Sequence, residues 1–146
     1  MRPANSLMPP KQRVRQETKP LRVRPSLRER RPTSPSEEMK AWSAGLAAEL
    51  TTWPEVRSRV FFGFTAFHRN EKIFALLPRT RVLEPANALA FKLERAGPRV
   101  LAEATRDSRI GFTEMQKARW FTFSLNRESD VRDALTWLIR AHQAAG

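Results

Sequence analysis

Apolar residues recur along residues 36–52 at helical spacing. Met39, Trp42, Leu46 and Leu50 are three, four and four positions apart, which puts them on one face. Ser34-Pro35-Ser36-Glu37 predicts the start, with Ser34 at the cap, Pro35 at the first helical position and Glu37 three residues after the cap. Pro54 ends the pattern just past Trp53. Val60 to Phe67 is aromatic, β-prone and short, and predicts a strand. His68-Arg69-Asn70-Glu71 is polar and turn-like, and Lys72 to Leu77 is a second apolar run closed by Pro78. Together they predict a β-hairpin. Phe61, Phe67 and Phe74 are available for its two faces.

Residues 78–87 read as a loop, and Ala88 to Leu93 as a third strand. Pro98 opens a helix to about Arg106, with Val100, Leu101 and Ala104 on its apolar side. Asp107 to Lys117 has no clear period. Trp120 to Leu125 alternates cleanly: Trp120, Thr122 and Ser124 point one way, Phe121, Phe123 and Leu125 the other. A last helix follows, capped by Asn126 or Ser129, with Val131, Ala134, Leu135, Leu138 and Ala141 as its stripe. The expected order is α-β-β-β-α-β-α. This is a single compact α+β domain over residues 36–146, with an antiparallel sheet packed against helices.

Charge separates the first quarter of the chain from the rest. The net charge is +12 over 146 residues. Residues 1–35 carry ten bases against two acids, seven of the eleven prolines and no aromatic residue. Such a segment buries too little surface to offset its ordering entropy, so it is expected to be a disordered arm. Two readings stay open for it: a basic arm that attracts phosphate backbones or acidic surfaces, or a solvated extension preceding a true start near Met39. The remaining residues carry only +4.

Candidate chemistry is sparse. Without cysteine there are no disulfides, thiolate metal sites or cysteine nucleophile. No apolar run approaches the roughly 20 residues of a membrane span, and prolines interrupt any secretory signal, so a cytoplasmic protein without membrane partners is expected. His68, expected in the hairpin turn, and His142, near a helix end, have no metal-type spacing around them. Phosphate-cradling glycine motifs are missing, and acids at helix starts complement helix dipoles. A non-enzymatic domain with no cofactor is the expectation. Basic residues interleaved with aromatics give the better signal. Lys92 follows Phe91, Lys117 and Arg119 lead into Trp120, and Arg79 and Arg81 sit in the loop after the hairpin. If the third and fourth strands are neighbours, Lys92, Lys117 and Arg119 are candidates for phosphates and Trp120 for stacking or a wall. Arg79 and Arg81 would flank them. Solvated charges around a core Trp120 explain the same pattern. A protein-interaction module using the hairpin aromatics or the last helix, and a small-ligand or enzymatic domain, are the alternatives.

Several strings resemble the MmcQ/YjbR-like and TfoX N-terminal superfamily, which includes the sparsely characterised luciferase-domain family. Phe61-Phe62-Gly63-Phe64 with Glu71-Lys72-Ile73-Phe74-Ala75-Leu76 resembles the Met-Phe-Gly strand and hairpin of TfoX-type domains. Phe91-Lys92-Leu93 and Lys117-Ala118-Arg119-Trp120 resemble strands of the YjbR-like group. Trp53-Pro54-Glu55-Val56 and Glu128-Ser129-Asp130-Val131 are closer to the luciferase-domain family. Phe61 stands where Met is usual, and a usual double glycine is reduced to Gly63. The resemblance implies a compact α+β fold and a DNA-binding role, and no light-emitting chemistry.

Overall fold

The structure is a computed structural model, and it describes residues 33–112 and 119–146. The proline-rich segment up to residue 32, expected to be disordered, and Lys117 lie outside the described residues.

The first helix, α1 (Glu37–Leu50), starts two residues later than the sequence suggests. Ser36 is its cap, and the Ser36 hydroxyl accepts the Met39 amide at 3.1 Å. Ser34 is exposed and Pro35 is buried just ahead of the cap. Met39, Leu46 and Leu50 are buried as their spacing requires. The chain then forms β1 (Val56–Phe61), β2 (Phe64–Arg69), β3 (Lys72–Pro78) and β4 (Ala88–Lys92). After α2 (Pro98–Arg106) come β5 (Ile110–Phe112), β6 (Trp120–Ser124) and α3 (Glu128–Ala144). The fold is α+β, with three helices on one antiparallel sheet of order β1-β2-β3-β4-β6-β5.

Six strands stand where four were expected. The run Val60–Phe67 is not one strand: it breaks at Phe62-Gly63, and residues Val56–Phe61 form an additional edge strand. β5 is the second addition, a three-residue strand within the ambiguous stretch. His68 belongs to β2, and the turn is Asn70-Glu71. The last helix is capped at Arg127 rather than at Asn126 or Ser129. Asp130 reaches back to accept the amides of Asn126 at 2.8 Å and Arg127 at 3.1 Å.

One row of partners, Ser58, Phe67, Ala75, Phe91, Phe121 and Phe112, crosses all six strands on the side facing the helices. A bulge at Phe67/His68 lets Phe74 join Ala75 in the core. α1 and α3 pack on β3, and α3 continues onto β4. The neighbouring row on the other face is smaller: Arg59, Ala66, Leu76, Ala90, Thr122 and Gly111. Trp120, Phe64, Ile73 and Leu83 cluster with it. The sheet thus has a deep aromatic core on one side and a shallow layer on the other.

Candidate nucleic-acid interface

The β1–β2 hairpin turns on two residues, Phe62 at φ 47° and Gly63 at φ 87°. Two positive φ values match the tight turn whose twist suits antiparallel strands, and that turn favours Asn-Gly. Glycine fits the second position. It is also required by packing, because a Cβ on Gly63 would run into the Arg81 side chain. Phenylalanine does not fit the first: the left-handed region costs an L-residue with a bulky side chain about 1–2 kcal/mol. The ring recovers little of this by burial. Phe62 is 80% exposed, and its ring meets that of Phe61 edge-on at 4.8 Å. Val60 and Phe61 are exposed beside it.

The Gly63 carbonyl draws the next loop onto this turn. It accepts the amides of Arg79, Thr80 and Arg81 at 3.1, 2.8 and 3.1 Å. Arg79 and Arg81 are thereby carried to the tip, both exposed. Arg79 also lines a cleft with Lys40, Ser43 and Thr65 beneath α1. Along β1, Arg57, Arg59 and Phe61 sit opposite His68, Ala66 and Phe64, all on the face away from the helices. Successive members are about 6.8 Å apart along a strand.

Ion pairs take up some of the other cations. Arg69 bonds Glu55, Lys92 bonds Glu94, and Arg140 holds Glu103 through two nitrogens. Arg109 is held by Asp107, Asp130 and Asp133, which raise its pKa. Among the described residues, Arg57, Arg59, Arg79 and Arg81 enter no ion pair.

The sequence candidates are only partly brought together. β4 and β6 are neighbours, and Lys92 stands directly opposite Trp120. Trp120 is 6% exposed and forms a wall, while the Lys92 ammonium lies 3.1 Å from Glu94. Arg119 follows the opposite side of the sheet, lining a hollow with Leu101, Ala102 and Thr105 of α2. Arg79 and Arg81 join the hairpin tip, away from that pair. Arg57, Arg59 and Phe62 were missed by sequence reasoning. The signal was present in Arg57-Ser58-Arg59, two bases at strand spacing beside an aromatic run.

A hollow of about 580 Å³ lies at the other end of the hairpin. Trp53, Glu55, Arg57, Arg59, His68 and Asn70 are among its lining residues. Burial, and next the charge of Arg59, push the His68 pKa down, with Glu71 opposing. Its Nδ1 is buried and has no hydrogen-bond partner. His142 is structural: its Nε2 lies 2.9 Å from the Pro54 carbonyl, and its ring meets Trp53 and Phe74 edge-on. Among the described residues no group of three metal-ligating side chains converges, and no helix is long and apolar enough to cross a membrane.

No family model, curated protein or solved structure matches this chain.

Proposed function

We propose that this protein binds nucleic acid, with the β1–β2 hairpin as its contact element. Arg57, Arg59, Arg79 and Arg81 meet phosphates, and Phe61 and Phe62 offer faces to bases. The observation that carries the reading is Phe62. A bulky ring is held in a strained turn, almost fully in solvent, among arginines without ionic partners. Strain that local packing does not repay points to a contact made outside the folded chain. The basic segment 1–35 adds a non-specific electrostatic component. The family resemblance carried by Phe61-Phe62-Gly63-Phe64 points the same way, by analogy only.

The test is fluorescence anisotropy with single-stranded and duplex DNA across a salt series. Replacing all four arginines by Gln is expected to flatten the single-strand salt dependence by about 3 in log K against log salt, at roughly 0.7 per phosphate contact. An unchanged slope removes the hairpin from the interface, and no binding at low salt removes the proposal. Exposed Val60, Phe61 and Phe62 beside an edge strand also favour a protein-docking reading. That reading predicts partner capture that persists at high salt.

A further inference from the structure

We infer that the hollow bounded by Arg57, Arg59 and His68 seats one phosphate group, and that His68 takes up a proton when the seat fills. The inference rests on the nucleic-acid reading and gives it a place and a pH dependence.

Three features converge there. Arg57 stands directly opposite His68 across the β1–β2 ladder, and Arg59 lies two residues along the same face. Both guanidiniums lack ionic partners among the described residues, so an anion in the hollow displaces no salt bridge from them. Each offers forked donors suited to phosphate oxygens. Finally, His68 lines the hollow and its buried Nδ1 is left without a hydrogen-bond partner. An anion in the hollow that His68 lines supplies a charge partner for a protonated ring.

The charged surroundings set the direction of the coupling. Arg57 and Arg59 face His68 from β1, and Glu71 faces it from the β2–β3 turn. Glu55 also lines the hollow but is held by Arg69 at 2.9 Å. Burial and Arg59 favour the neutral ring. A bound phosphate cancels the arginine field and adds an attractive partner, so the imidazolium becomes favoured. Linkage then requires binding to tighten as pH falls through the bound-state pKa of His68.

The test follows the His68 ring resonance by NMR in the full chain, titrated with pH with and without sulfate. Sulfate is a stand-in for phosphate whose charge is constant over the range. Saturating sulfate is expected to raise the His68 midpoint by about one pH unit. His68→Gln is expected to leave sulfate and oligonucleotide affinity flat with pH. Arg57→Gln with Arg59→Gln is expected to remove the midpoint shift. A His68 midpoint unmoved by sulfate, or a shift that survives loss of both arginines, overturns the inference. The two proposals fail separately. Single-stranded DNA that binds with pH-independent affinity removes the proton-coupled seat and keeps the interface. A sulfate-induced shift without DNA binding keeps the seat and removes the nucleic-acid reading.

Discussion

Replacing Phe62 by Asn separates what the turn needs from what the surface does. Asparagine is at home in the left-handed region, and Asn-Gly is the preferred pair for this turn. The substitution relieves about 1–2 kcal/mol of backbone cost at φ 47°. Against this stands the lost edge contact with Phe61, in which Phe62 is 80% and Phe61 45% exposed. An aromatic pair contributes about 0.5–1.5 kcal/mol when well packed, and exposure puts this one at the low end. The expected net effect is a gain of about 0.5–1 kcal/mol, or roughly 2–6 °C in melting temperature for a domain of this size. DNA affinity is expected to move the other way. Loss of one stacking platform weakens single-strand binding by about 1–3 kcal/mol, roughly 5- to 150-fold. Thermal and urea unfolding read the first effect, and anisotropy the second. Phe62→Ala is the control: it removes the ring and keeps a residue unsuited to positive φ, so affinity falls without the gain in stability. A Phe62→Asn protein that is less stable than the parent refutes the strain argument. One that is more stable and binds DNA as well as the parent refutes the assignment of Phe62 to the interface.

Two further outcomes test the scaffold. Removing the Arg109 guanidinium as Arg109→Met leaves Asp130, with a side chain 6% exposed, without its cation. Asp130 also fixes the start of α3, so a loss of about 2–3 kcal/mol is expected in urea unfolding, below the 3–5 typical of full burial because Arg109 is partly solvated. Asp133→Asn, at the exposed limb of the same cluster, should cost under about 0.5 kcal/mol; equal losses would deny the burial argument. Asp107 and Asp130 have lowered pKa values, so their contribution is present above about pH 4 and is lost as pH falls through the folded values. His68, whose pKa is also lowered, titrates in a higher window. The unfolded chain takes up its proton near pH 6.5 while the folded chain resists, so stability is full above that pH and declines below it. His68→Gln should flatten the decline between about pH 6.5 and 5, and a melting temperature equally steep in both proteins would refute it.

Most elements were legible because their side chains report burial. α1, α2 and β6 follow their apolar periods, and α3 buries Ala134, Leu138 and Ala141 of its expected stripe. β1 was not legible, because five of its six residues are exposed and an edge strand in solvent on both faces needs no alternation. The aromatic richness of Val60 to Phe67 concealed the turn within it. Gly63 was the one cue, since glycine inside an apparent strand often marks a break. β5 was hidden by its length and by Gly111, where a Cβ would approach Thr122 Oγ1 to 2.8 Å. The site was legible as residue types and illegible as a place. Lys92 and Trp120 share a rung, which the sequence left conditional on their strands being neighbours, yet Trp120 is wall and Lys92 is paired. What relocates Arg79 and Arg81 is a single carbonyl, that of Gly63, holding three amides. Nothing in side-chain pattern announces a backbone acceptor.

On the proposed reading, the hairpin is how a modest domain charge makes a binding surface. Residues 36–146 carry only +4, which spread evenly would steer an anion weakly. The fold does not spread it evenly. Some cations are neutralised in place: Arg69 by Glu55, Lys92 by Glu94, Arg109 by three aspartates, Arg140 by Glu103. These pairs hold elements together and are unavailable to a ligand without breaking the scaffold. Four arginines without ionic partners, Arg57, Arg59, Arg79 and Arg81, gather along β1 and at the turn it leads into, on the part of the sheet with the least burial, while others such as Arg99 and Arg132 are scattered over the helices. The strained Phe62-Gly63 turn is where the hairpin group meets exposed rings. For the proposed reading, what matters is therefore less the net charge than the four unpaired arginines gathered on one hairpin, and strand pairing and the Gly63 carbonyl gather them.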